Sequence, residues 1–81
     1  MKQFVDDEGR AWVAAAAEEN TPRHHGKWYL IFRPADDKDT VYSSPDIRWQ
    51  TAATAARTIR TMADFELRRR LKSALERHAH A

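Results

Sequence analysis

Apolar side chains alternate with polar ones through much of the first half of this chain and recur at three- and four-residue spacing through the second. The pattern predicts strands first and helices after them. Gln3 to Asp6 reads as a short strand, and Asp6-Asp7-Glu8-Gly9 as a turn in which Gly9 takes a positive φ, giving a hairpin with a bulge. Arg10 to Glu19 is the returning strand on the evidence of that turn and of Trp12-Val13. The run Ala14-Ala15-Ala16-Ala17-Glu18-Glu19 also has strong helix propensity, so a helix over 11–19 stays open. As a strand, it puts Trp12, Ala14 and Ala16 on one face, where small residues let a bulky neighbour approach closely.

Asn20 to Gly26 is a loop by composition, broken by Pro22 and Gly26. Lys27 to Arg33 is the strongest strand signal, with Trp28, Leu30 and Phe32 on one face and Tyr29 and Ile31 on the other. Two apolar faces mark a central strand, ended by Pro34. Asp36 to Asp39 is a polar turn, and Thr40 to Ser43 a further strand that stops before Pro45. The short connections make the sheet an antiparallel meander of three to four strands.

Residues 45–50 then cross from sheet to helix, with Ile47 and Trp49 plugging the edge of the core. Thr51 caps a helix whose Ala52, Ala55, Ala56, Ile59 and Met62 line one side. A second helix starts near Ala63-Asp64, or at Thr61, since Ala63 is a poor cap, and carries Leu67, Leu71, Ala74, Leu75 and His78 on a single stripe. Its first turn holds Asp64 and Glu66 and its last Arg77 and His78, matching the helix dipole. The fold class is therefore α+β, one domain over 1–81, with the sheet in 1–44 and two amphipathic helices in 51–78.

Charge alters this picture in one respect. The net charge is +2, yet residues 1–47 hold six Lys/Arg against nine Asp/Glu, and residues 48–81 hold eight against three. An acidic front half joined to a basic back half suits an acidic partner or front-to-back self-association. The cations that could form a binding face are Arg57, Arg60, Arg68, Arg69, Arg70, Lys72 and Arg77, with Phe65 among them off the apolar stripe. Against that, Asp64 to Arg68, Glu66 to Arg70 and Lys72 to Glu76 are each spaced for intrahelical pairs, which makes much of the charge a solvated helix face. Phe65 either packs on another element or stands exposed within this basic surface. If the helices leave Tyr29, Ile31 and Tyr42 uncovered, the second sheet face is an apolar interface.

Chemistry is sparse. The chain has no cysteine, hence no disulfide and no thiol nucleophile. His24-His25 and His78-x-His80 are the candidate metal ligands, but neither spacing matches a zinc site, and Asp36-Asp37-Lys38-Asp39 lacks the glycine and distal glutamate of a calcium loop. Ser43 and Ser44 have no glycine elbow, with His24 or His25 the conceivable bases, and two glycines cannot build a phosphate cradle. No cofactor, metal or catalytic residue is expected. No apolar run is long enough to span a membrane, and the N-terminus does not resemble a signal peptide, so a cytoplasmic protein is expected.

The layout Phe4-x-Asp6-x-x-Gly9-Arg10-x-Trp12, Gly26-x-Trp28-x-Leu30-x-Phe32 and Met62-Ala63-Asp64-x-Glu66-Leu67 resembles small bacterial proteins that open with such a hairpin and close with a helix. The resemblance implies a bacterial origin and brings no activity with it. Sheet followed by helix also looks like plant-type sheet-reading DNA-binding domains, although the strands here carry few basic residues beyond Arg10, Lys27 and Arg33. The expected function is a non-enzymatic interaction module that binds a protein partner or itself as a homo-oligomer. The alternatives are a nucleic-acid-binding regulator using the basic helical face and a small hydrolase or metal enzyme.

Overall fold

The computed structural model describes residues 1–19 and 27–79, together with the backbone but not the side chain of residue 45. Four strands, β1 (Lys2–Val5), β2 (Ala11–Glu18), β3 (Trp28–Pro34) and β4 (Tyr42–Trp49), form one antiparallel sheet in the order β1-β2-β3-β4. Two helices follow, α1 (Ala52–Thr61) and α2 (Asp64–Ala79). This is the α+β meander with C-terminal helices that the hydrophobic pattern predicts, and the alanine run of β2 is strand.

The opening hairpin shows what the Phe-Asp-Gly-Arg-Trp pattern does. Gly9 has φ +86°, a conformation open to glycine at little cost. Asp6 accepts from the backbone N–H of Glu8 and Arg10 through Oδ1, both at 2.9 Å, and from Trp12 Nε1 through Oδ2 at 2.8 Å. Phe4 faces Trp12 across the ladder, and the Arg10 guanidinium lies 5.1 Å from the Trp12 ring. The motif is a hairpin latch that seats two aromatic side chains in the core.

Both helices pack on one face of the sheet. The core there consists of Phe4, Trp12, Ala14, Leu30, Phe32, Ile59, Leu67, Leu71 and Ala74, with Tyr42, Ile47, Trp49 and Met62 packed around it. Ala14 is fully buried, and its small side chain is what lets a helix approach β2. Thr51 caps α1, accepting from Thr54 N at 3.1 Å. Ala55 and Ile59 are buried, whereas Ala52 and Ala56, expected on the inner side, are exposed. Trp28 is only half-buried and lies outside the core cluster, because it sits at the end of the sheet opposite Trp49.

The longer β4 is the main departure from the sequence reading. The strand expected to stop before residue 45 continues to Trp49, with a register shift: Leu30 pairs with Ser44, but the preceding Tyr29 pairs with Arg48. The extra residues on β4 form a bulge on an edge strand, and a proline there removes no ladder hydrogen bond. The helix that closes the domain lies across the sheet, since α2 contacts both edge strands, β1 and β4. At about 1.5 Å per residue its 16 residues span roughly 24 Å, more than the ~14 Å across four strands, so it crosses obliquely.

Candidate functional site

The face of the sheet away from the helices carries no covering element among the described residues. Strand alternation places Val5, Val13, Ala15, Ala17, Tyr29 and Ile31 on it. The register sets Val13 beside Arg33, Ala15 beside Ile31 and Ala17 beside Tyr29. Arg48 stacks 5.8 Å from the Tyr29 ring and pairs with Glu19, so one end of the face has a charged border. Among the described residues, the large exposed apolar side chains are Met1, Val5, Val41 and Phe65. Of these, Val5 lies within a strand, and alternation from Phe4 puts it on this face. The same face carries the polar Gln3, Arg33, Ser43 and Arg48, paired with Val13, Val13, Ile31 and Tyr29.

Tyr42 does not belong to it. Its ladder partner is Phe32, which fixes it on the helix side, where its ring lies 5.9 Å from Trp12 and 5.2 Å from His78. Tyr29 and Ile31 are on the open face as expected. Val13, Ala15, Ala17, Arg33 and Arg48 join them there; the alternation that groups Trp12, Ala14 and Ala16 carries the first three to the opposite face.

The basic helical surface is divided by its ion pairs. Asp64 pairs with Lys2 of β1 at 3.6 Å, not with Arg68, and Arg68 pairs with Asp7 of the hairpin turn at 3.6 Å. Arg77 reaches Asp46 of β4 at 3.6 Å. These contacts tie the two ends of α2 to the two edges of the sheet. Glu66 takes both Arg69 and Arg70, at 2.6 and 3.0 Å, and hydrogen bonding from Arg69 first, then Arg70, holds its carboxyl below the ordinary range. Arg57, Arg60 and Lys72 have no acidic partner among the described residues. Phe65 takes the exposed alternative, at 67 %.

His78 does structural work at the β4 edge. Its Nε2 accepts from the backbone N–H of Ser43 at 3.1 Å, covering a donor that an edge strand would otherwise present to another chain. The bond is to the main chain, and the Ser44 hydroxyl donates to Asp46 at 3.0 Å, so neither serine hydroxyl is paired with a histidine among the described residues. A depression of about 270 Å³ lies between the hairpin turn and α2, lined by Asp6, Asp7, Glu8, Arg68, Leu71 and Lys72 among others. Asp6 is committed to the turn, and the bond from Trp12, followed by that from Arg10, lowers its pKa. Asp37 serves the β3 to β4 turn likewise, its pKa lowered first by the Thr40 hydroxyl at 2.6 Å and then by the Asp39 N–H.

Among the described residues no group of three or more His, Cys, Asp and Glu could hold a metal ion. His24, His25 and His80 lie outside them. No described helix is long and apolar enough to cross a membrane. No family model, no curated protein and no solved structure matches the chain.

Proposed function

We propose that the chain is a small cytoplasmic, non-enzymatic interaction module that binds a protein partner or a second copy of itself through the open face of its sheet. One observation carries this reading: the sheet face opposite the helices bears part-exposed Ala15, Ala17, Tyr29 and Ile31 beside exposed Val5, with no element over it among the described residues. The commitment of Asp6, Asp37 and Glu66 to turns and ion pairs supports the non-enzymatic part, because these carboxylates are held as structural acceptors.

The test is site-specific photo-crosslinking in cells, with the reactive side chain at Ala15 on the open face and, as a control, at Ala53 on the outer side of α1. Strong protein adducts from position 15 alone are expected. Adducts from position 53 alone, or none from 15, refute the reading.

A second reading, a nucleic-acid-binding regulator, is favoured by Arg57, Arg60 and Lys72, which have no acidic partner among the described residues, and by exposed Phe65. It ranks below the first because Arg68, Arg69, Arg70 and Arg77 are each in ion pairs. A site of this kind should lose duplex affinity with salt at a log–log slope near −0.9 per phosphate neutralised. Affinity unchanged by salt refutes it.

A further inference from the structure

We propose that the outer edge of β2, past the end of β1, is a slot for an extended segment of a partner protein, which adds there as a strand antiparallel to β2. The inference does not rest on the open face and concerns a separate surface. Its basis is a mismatch in strand length. β1 has four residues and pairs only with Ala11 to Ala14, whereas β2 continues to Glu18 with β3 along its other side. Hydrogen bonding fixes which backbone groups are left over. The Ala35 N–H donates to the Ala11 C=O and the Glu19 N–H to the Lys27 C=O, so odd-numbered residues of β2 turn their backbone groups toward β3; the Asp6 N–H donates to the Arg10 C=O, so even-numbered ones turn toward β1. The N–H and C=O of Ala16 and Glu18 therefore point out of the edge beyond the last β1 pair, Lys2 with Ala14, and have no partner among the described residues.

The other edges are guarded. On β4 the outward N–H of Ser43 donates to His78, and residue 45, the second along, is a proline with no N–H. β1 is short, and Arg68 reaches the outward C=O of Val5 at 3.4 Å. Short edge strands, prolines and covering side chains are the devices that keep an edge from pairing. None of them stands at Ala16 and Glu18 among the described residues, and the side chains alongside are the small Ala15, Ala16 and Ala17. Two donor–acceptor pairs two residues apart, about 7 Å, are the pattern that alternate residues of an extended backbone complete.

The surroundings set the occupant's side chains. Ala16 packs against the core on the helix side, so the occupant's residue opposite it turns its side chain to that side and is apolar. Lys2 Nζ donates to Met62 O at 2.7 Å and to Arg60 O at 3.4 Å, which holds the end of α1 over the first residue of β1, where the cover of β2 stops. The exposed Arg60 carried there has no acidic partner among the described residues, and an acidic residue flanking the apolar one completes the match. The slot takes about four residues, far less than a standard interface, so the complex is transient, with a dissociation constant of about 0.1–1 mM.

Amide exchange of the isotope-labelled full chain, read by NMR, is the test. In the free protein the Ala16 and Glu18 amides should exchange at least about tenfold faster than those of Ala15 and Ala17, which bond to β3. Equal protection of Ala16 and Ala17 means that the edge is already covered and overturns the proposal. The probe is then the blocked hexapeptide acetyl-Asp-Val-Thr-Val-Thr-Asp-amide at up to about 5 mM, above the weakest affinity expected. It should move the Ala16 and Glu18 amide signals and slow their exchange, and the same peptide N-methylated at alternate residues should do neither. Ala16→Pro removes the outward N–H and leaves every β3 bond in place, a change that edge strands tolerate; it should weaken the peptide at least about tenfold with circular dichroism unchanged, and Glu18→Pro at the strand end replaces it if it does not fold. No movement at Ala16 with the full peptide concentration, or movement confined to Tyr29 and Ile31, overturns the slot. A sedimentation mass of twice 9.4 kDa that Ala16→Pro abolishes puts a second copy there and overturns the partner segment. Adducts from position 15 in cells that persist in the Ala16→Pro chain belong to the open face, so either reading can fail without the other.

Discussion

Leu30 and Ile31 are neighbours on β3, isomers of one another, and point to opposite faces of the sheet. Truncating each to alanine removes the same atoms from two different environments, which isolates the effect of the helices. Leu30 is 0 % exposed within the core, and Leu→Ala at such a site costs about 2–5 kcal/mol. Ile31 in the monomer loses mainly strand preference and same-face contacts, about 1 kcal/mol. A domain of this length has a total stability of about 4–12 kcal/mol, so Leu30→Ala is severe and Ile31→Ala mild. In urea, with a slope near 1–1.5 kcal/mol/M for so small a domain, the Leu30→Ala midpoint should fall by about 2 M or more and that of Ile31→Ala by less than about 1 M. Both should be measured at low micromolar and at high protein concentration. If the open face is covered by a second copy, the Ile31→Ala loss grows with concentration while the Leu30→Ala loss stays constant, because association stabilises the whole folded chain by mass action and only the Ile31 substitution weakens that association. Equal losses at low concentration would refute the assignment of the two faces.

Gly9→Ala should destabilise by about 1–2 kcal/mol, read by thermal or urea unfolding, because the φ of +86° disfavours any side chain; nothing lies within 4 Å of the added Cβ, so a larger loss would refute a purely conformational cost. Stability should be flat near neutrality and fall with acid. Asp6, Asp37 and Glu66 have folded pKa values below their ordinary ones, so their contribution is full above the unfolded carboxylate range, about 3.9–4.3, and is lost as pH drops through the lower folded values. Urea midpoints at pH 7, 5, 4 and 3 check this, and a midpoint unchanged down to pH 3 would refute it. In duplex-binding titrations, replacing Arg57, Arg60 and Lys72 together by Gln should reduce any salt slope by up to about three, and Arg70→Gln, whose partner is Glu66, by much less. Equal effects would mean that the ion pairs do not withhold these charges.

The fold was legible where one physical signal acted alone. Alternation in 27–33 identified the central strand and both its faces, Thr51 marked the start of α1, and the apolar stripe from Leu67 to Leu75 gave α2 its buried side. The alanine run needed tertiary context: its propensity favours helix, and the pairing of β2 with both β1 and β3 overrides it. The far half of β4 was hidden because the sequence around residue 45 reads as a stop, whereas a bulge on an edge strand absorbs a proline that a central ladder would reject. Tyr42 was misassigned for a related reason, since which face it occupies depends on its register with Phe32, a quantity set by pairing rather than by local sequence. Of the α2 pairs that spacing suggests, Glu66 to Arg70 forms, but Asp64 to Arg68 does not. The oblique crossing brings Lys2 and Asp7 within reach of them instead.

That crossing connects the basic run to the open face. A helix laid along the strands would leave both sheet edges bare, and an edge pairing with another chain competes with any specific face-to-face contact. Here α2 starts at β1, with Asp64 on Lys2 and Arg68 on Asp7, and ends at β4, with Arg77 on Asp46 and His78 on the Ser43 N–H. Four charged or polar groups of α2, of which Arg68 and Arg77 belong to the basic face named from sequence, thus brace the two edges, and His78 directly caps an edge donor. With those edges held and the inner face filled, the outer face is the surface that the proposed association would use. The same alanine-rich strand serves both sides, since Ala14 lets the helices close on the core and Ala15 and Ala17 lie on the outer face.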